Sequence, residues 1–160
     1  MQPERKVNLA YRYSIASCLL SLSVTLPVAW AHTTRPPHLL SVSTKGTEMS
    51  FEPTEMTVRA GQHLSLTFKN ASDPAVGFSH NWVLVKPGTK ANVVAAGPQA
   101  GQEKDYVPDS PDVIAHTHLL KPGESQTIQF TAPPKPGDYP YFCNFPGHSE
   151  LLKGMLHVTG

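Results

Sequence analysis

Short runs in which apolar and polar residues alternate dominate the chain from residue 39 onward. His63-Leu64-Ser65-Leu66-Thr67-Phe68 and Thr127-Ile128-Gln129-Phe130 place every second side chain on one face, the signature of a strand with one buried side. The same reading predicts strands at 39–43, 49–51, 56–58, 63–68, 81–85, 112–116, 125–130, 138–143 and 155–158. Arg59-Ala60-Gly61, Lys86-Pro87-Gly88, Lys121-Pro122-Gly123 and Lys135-Pro136-Gly137 punctuate them as turns. Only 88–107 breaks the rhythm, and 91–96 predicts one or two helical turns outside the sheets. Short strands at this spacing predict an all-β sandwich of two sheets with one short helical insertion.

Composition narrows the class. With 160 residues, 39% hydrophobic, the chain suits one domain and one core. A formal charge of +1 carries no footprint for nucleic acid and no polybasic membrane patch. Residues 1–31 read as an export leader. Arg5, Lys6 and Arg12 form a basic start, an apolar stretch follows from about Ile15 to Val28, and Ala29 and Ala31 are the small residues before a cut. Ser17, Ser21, Ser23 and Thr25 interrupt that stretch, which is shorter than the roughly 20 residues of a membrane span. Cys18 stands in a weak acylation box, because the apolar run follows it instead of preceding it. The expected mature chain is therefore a single domain, 32–160, periplasmic and without a membrane span.

The cut changes the cysteine arithmetic. Of two cysteines only Cys143 stays, so no internal disulfide can form, and an exported free thiol needs a partner. Removing three basic residues and one acidic residue leaves 10 against 11, or −1. Cys143 and His148 lie five apart in Tyr141-Phe142-Cys143-Asn144-Phe145-Pro146-Gly147-His148, across a Pro-Gly turn, and His80 lies in Ser79-His80-Asn81-Trp82. One thiolate and two neutral imidazoles in a plane suit both oxidation states of copper, so they form a site for electron transfer. Trp82 reads as a core aromatic.

These segments carry a resemblance. From about Gly77 to Gly160, His80-Asn81-Trp82-Val83-Leu84, Lys104-Asp105-Tyr106, Val113-Ile114-Ala115-His116-Thr117, Phe142 to Ser149 and Lys153-Gly154 are similar to the azurins, blue copper proteins of the cupredoxin family. An auracyanin-like branch fits as well, while 39–68 matches in strand pattern alone. The resemblance implies a cupredoxin Greek-key sandwich, one type 1 copper, and His80, Cys143 and His148 as ligands. It also implies a weak backbone carbonyl from Ser79, where azurins have glycine. Backbone N–H groups of Asn81 and Phe145 would donate to the sulfur, and the Asn81 side chain would tie the ligand loops. Asn144 replaces the family's threonine. The family's axial methionine is replaced by Leu152, so hydrocarbon would fill that direction, with Met155 the weaker candidate, read as core further along the last strand.

By the same resemblance, His148 would emerge through an apolar rim of Phe78, Phe145, Pro146 and Leu151. There it would meet redox proteins such as a cytochrome or a copper reductase or oxidase, the protein itself being simplest as a monomer. His116 and His118 read as solvated. A copper carrier is the main alternative, though Met49, Met56 and Met155 are too scattered for an open transfer site. Copper enzymes fit less well. Cys143 lacks flanking histidines that would couple it to further coppers, and a brace built on His32 has only His38 nearby. No catalytic residues are expected.

Overall fold

The computed structural model describes residues 35–160 apart from Val76. Among the described residues nine strands form two sheets: β1 (His38–Lys45), β2 (Glu48–Glu52), β3 (Glu55–Arg59), β4 (His63–Lys69), β5 (Val83–Val85), β6 (Val113–His116), β7 (Ser125–Thr131), β8 (Gly137–Phe142) and β9 (Lys153–Thr159). One sheet runs β2-β1-β4-β7 and the other β3-β9-β8-β5-β6. β1 with β4 and β3 with β9 pair in parallel, and every other pair is antiparallel. The expected two-sheet sandwich is what the chain adopts. The predictions for Cys18, the 1–31 leader and His32 lie outside the described residues.

Alternation does what the pattern foretold. Leu64, Leu66 and Phe68 of β4 face inward with Val42 of β1, and meet Met56, Val58, Tyr141, Leu156 and Val158 of the opposite sheet. Full burial of such a side chain contributes about 1.5–3 kcal/mol. Trp82, fully buried, lies between the rings of Tyr141 and Phe130, with centroids 5.5 and 5.9 Å away.

Three expectations change. The strand read at 81–85 begins at Val83, because the backbone of His80 pairs instead with Leu120 (N–H to O 2.9 Å and back 2.8 Å) and Trp82 N–H donates to Thr117 Oγ1. The short helix is longer than predicted: α1 spans Lys90–Ala100, through Pro98, and a 3-10 turn, Gln102–Lys104, follows it. Pro98 removes one N–H, yet Val93 and Gly97 are buried on this helix and hold it down. Val93 and Val107 pack with Val83, Val85 and Phe142, so α1 covers the outer face of β5 and β8. Lastly, Met155 is no core residue. In β9 it is Leu156 and Val158 that face inward, and Met155 lines a surface groove with Glu55, Lys90 and Pro140. A two-residue period puts neighbours on opposite faces, and 156 holds the inner one.

Candidate metal centre

The antiparallel pairing of β5 with β8 matches Val83 to Phe142. The residues just before β5 therefore lie beside those just after β8, and His80 reaches the Cys143 loop although 63 residues separate them. His148 returns from the other direction. Its N–H donates to the Phe145 carbonyl at 3.0 Å, closing a turn across Pro146 and Gly147, whose φ of 85° favours glycine. Further along, Leu152 N–H donates to the His148 carbonyl, and Cys143 N–H to the Leu152 carbonyl, both at 2.9 Å. Leu152 is thus fixed to both residues and is fully buried in the same apolar cluster as Cys143.

Three donor atoms converge. His80 Nδ1 lies 3.2 Å from His148 Nδ1, and Cys143 Sγ lies 3.7 Å from the first and 3.8 Å from the second. A point equidistant from all three is about 2.1 Å from each, close to the roughly 2.0–2.3 Å of metal bonds to imidazole nitrogen and thiolate sulfur. Two nitrogen lone pairs facing each other at 3.2 Å without a shared ion or proton repel, so the donor set fits a cation. His80 and Cys143 are almost wholly buried and His148 nearly so, being 7% exposed. Burial, and secondarily the nearby His148, pushes the His80 imidazole down to about 4, and burial also lowers His148. The Cys143 thiol is pushed up to about 11 by burial, against the pull of N–H donors from Asn81 and Phe145.

The surroundings are specific. Asn81 Oδ1 accepts the Asn144 N–H at 2.8 Å, joining the two ligand segments, and its Nδ2 donates to the Asp105 carbonyl at 2.7 Å. Ser79, half-buried, lies between His80 and Phe78, and the Phe78 carbonyl accepts from Asn70 Nδ2 at 3.0 Å. His148 packs its ring against Phe78 and Phe145, at 5.5 and 4.6 Å between centroids. Phe78 and Leu151 are 44% and 60% exposed, and Pro146 is exposed beside them. His116 is exposed at the end of β6, and His118 is exposed with Nδ1 2.8 Å from Asp105 Oδ2. Neither lies with the three donors.

Over residues 38–159 the sequence matches the family described as copper binding proteins, plastocyanin/azurin family. The chain belongs to this family. The match extends well before Gly77, into strands where only the pattern of alternation was legible. Among relatives of this plastocyanin/azurin member, Auracyanin-A of Chloroflexus aurantiacus is 42% identical over 126 residues, covering 77% of this chain and 75% of that one. Azurin of Achromobacter denitrificans is 37% identical over 116 residues, covering 69% and 78%. The solved structure of dithionite-reduced auracyanin from Roseiflexus castenholzii aligns with a TM-score of 0.70 at 36% identity, covering 76% of this chain and 97% of that chain. The solved structure of auracyanin A, a "blue" copper protein of Chloroflexus aurantiacus, aligns with a TM-score of 0.69 at 39% identity, covering 78% of this chain and 100% of that chain. The cofactor is copper, and the fold is the cupredoxin sandwich.

Sequence reasoning missed several supports. Lys90 Nζ donates to the Ser149 carbonyl at 2.9 Å and to Glu150 Oε1 at 3.0 Å, pinning the loop after His148 to α1. Asn70, fully buried, holds the carbonyls of both Phe78 and Leu120. Asp105 and Tyr106 lay in a matched block, but nothing in their pattern announced a role. A lone polar residue in a loop carries no periodicity to read.

Proposed function

We propose that this protein carries single electrons between redox proteins through one copper held by His80, Cys143 and His148. The observation that carries the reading is the buried triangle of two nitrogens and one sulfur. Such a ligand set supplies a copper ion able to gain and lose one electron with little change of geometry. The surrounding chain holds all three donors on strand ends and a pinned loop, which limits what can move. Burial lowers the pKa of both imidazoles and so favours their neutral, binding form, while the N–H groups of Asn81 and Phe145 stabilise negative charge on sulfur.

The His148 ring, rimmed by exposed Phe78, Pro146 and Leu151, is the place where a partner approaches. An apolar rim suits brief redox encounters, which bury little area. Export through a cleavable leader, giving a periplasmic chain that begins at His32, completes the proposal. The test purifies the protein from the envelope of its own cells, by mass beginning at His32, and loads it with copper. An intense visible charge-transfer band and a reversible one-electron wave are expected. A colourless copper-loaded protein would point instead to copper carriage, and a retained leader would remove the periplasmic assignment.

Leu152 sets the potential in this reading. Its side chain has no lone pair, and its backbone is fastened to both His148 and Cys143; the proposal assigns its hydrocarbon to the axial direction, where a thioether would otherwise donate. Cu(II) gains more than Cu(I) from an additional donor. Leu152→Met is therefore expected to shift the equilibrium toward Cu(II) by about tenfold, lowering the midpoint by about 59 mV. Redox titration checks this, and a rise or no change would displace Leu152 from the axial position. The Ser79 carbonyl is the candidate weak donor on the other side. Met155 lines an outer groove, which supports Leu152 over it for the axial direction.

A further inference from the structure

Asp105 and Tyr106 are consecutive residues with φ of 55° and 57°, a left-handed conformation that a tyrosine rarely adopts. Strain of this kind persists only where surrounding contacts over-determine it. Here the contacts converge on the sulfur. The Asp105 carbonyl accepts from Asn81 Nδ2 at 2.7 Å, and the Tyr106 carbonyl accepts from Asn144 Nδ2 at 2.6 Å. The ring of Tyr106 meets that of Phe145 edge-on at 5.3 Å. Asn81 and Phe145 are the residues whose backbone N–H groups donate to Cys143. Each donor to the sulfur is thus gripped by one member of the pair.

The pair is itself anchored. Asp105 Oδ1 accepts Leu119 N–H at 2.7 Å, next to Leu120, whose backbone pairs with His80. From the other side α1 presses on the joint. A Cβ on Gly97 would lie 2.9 Å from Asn144 Nδ2 and 3.0 Å from the Tyr106 carbonyl, so only glycine permits this approach. Asn144 gives its amide to the grip at the cost of its Oδ1, which is buried with no partner among the described residues.

We propose that Asp105 is a positioning residue for the copper centre: with Tyr106 it forms a strut that fixes Asn81, Asn144 and Phe145, and through them the two N–H bonds to Cys143. The strut rests on the copper-site reading above. It acts through hydrogen bonds, not through the charge of the carboxylate. Loosening it lengthens the bonds to sulfur, leaves more charge there and favours Cu(II).

The test compares three copper-loaded full-length proteins: unaltered, Asp105→Gly and Asp105→Asn. Glycine tolerates the left-handed backbone but loses the anchor to Leu119 N–H. It is expected to shift the visible charge-transfer band, to move the Cu(II)/Cu(I) equilibrium at least threefold toward Cu(II), a fall of about 28 mV at 59 mV per tenfold, and to weaken copper binding about tenfold. Asparagine keeps an acceptor oxygen and the backbone conformation, and is expected to leave the band in place and to hold the Cu(II)/Cu(I) equilibrium within threefold of the unaltered protein, less than about 28 mV. A glycine variant that melts earlier but keeps the same band and potential overturns the strut. If that variant does not fold, the asparagine variant decides alone, and a larger shift there overturns the proposal. Absence of the band in the unaltered protein would instead sink the copper-site reading itself.

Discussion

Cys143→Ser is expected to give a folded protein that is colourless with copper and has no reversible one-electron wave. Thiolate is the only soft donor in the triangle, and the visible band arises from charge transfer between sulfur and Cu(II). A serine hydroxyl stays protonated at neutral pH and offers a hard oxygen, so two imidazoles are left to hold the ion. Losing a mere supporting partner of a metal ligand costs about 10–100-fold in affinity, and losing the thiolate itself is expected to exceed the upper figure. The fold should survive. Serine is nearly the size of cysteine, and the N–H groups of Asn81 and Phe145 that face the sulfur can donate to the hydroxyl, offsetting the roughly 1–3 kcal/mol of an unpaired buried polar group. Absorption spectra and copper titration check the outcome, with circular dichroism confirming the sheets. An unchanged blue band would place the copper elsewhere.

Much of this was legible from the sequence because the fold repeats a simple rule. Alternation in 63–68 and 125–130 identified β4 and β7 and the faces they bury, since a two-residue period leaves little ambiguity. The extent of α1 was not legible, because a proline inside the segment argues for a stop. What overrides it is the burial of Val93 against β5, β8 and Val107, and of Gly97 against the Tyr106 carbonyl and Asn144, which no local window contains. The start of β5 was misjudged for a similar reason. His80 pairs with Leu120, 40 positions away, and an apolar run gives no sign of which neighbour claims its backbone.

At the centre, Cys143 and His148 stood out because their spacing spans one turn. The supports from Asp105, Asn70 and Lys90 were hidden, since each engages main-chain groups: Asp105 accepts the Leu119 N–H, while Asn70 and Lys90 donate to carbonyls. Main-chain groups are present at every residue, so sequence alone does not mark which one is held. Met155 shows the converse error: a methionine in a terminal strand reads as core, yet the one-residue difference from Leu156 decides the face.

The strongest dependence on pH is expected in the metal-free protein. At neutral pH the Cys143 thiol, pushed up to about 11, is protonated, while His80, pushed down to about 4, and His148, also lowered, are neutral. Copper binding needs the thiolate, so uptake at neutral pH releases one proton, from sulfur alone. Apparent affinity should then rise about tenfold per pH unit from near neutrality up to about 11, and more steeply with pH below about 4, where His80 must also give up a proton.

Stability follows the opposite members of the site. Between 6.5 and about 4 the unfolded chain binds a proton on His80 that the folded chain refuses, so metal-free stability rises with pH across that window and is lost on acidification. At 1.36 kcal/mol per pH unit the loss from His80 is about 3 kcal/mol, and His148 adds to it in the same direction. Above the ordinary thiol value the sign reverses, because the unfolded thiol ionises first and stability falls toward pH 11. Urea melts of the metal-free protein at mildly acidic and neutral pH should show the acid loss, and calorimetry in buffers of different ionisation enthalpy should count the released proton. Bound copper should suppress both effects until acid displaces it. A metal-free protein that gains stability on acidification, or copper affinity that ignores pH, would mean that these three side chains are not the ones that meet the ion.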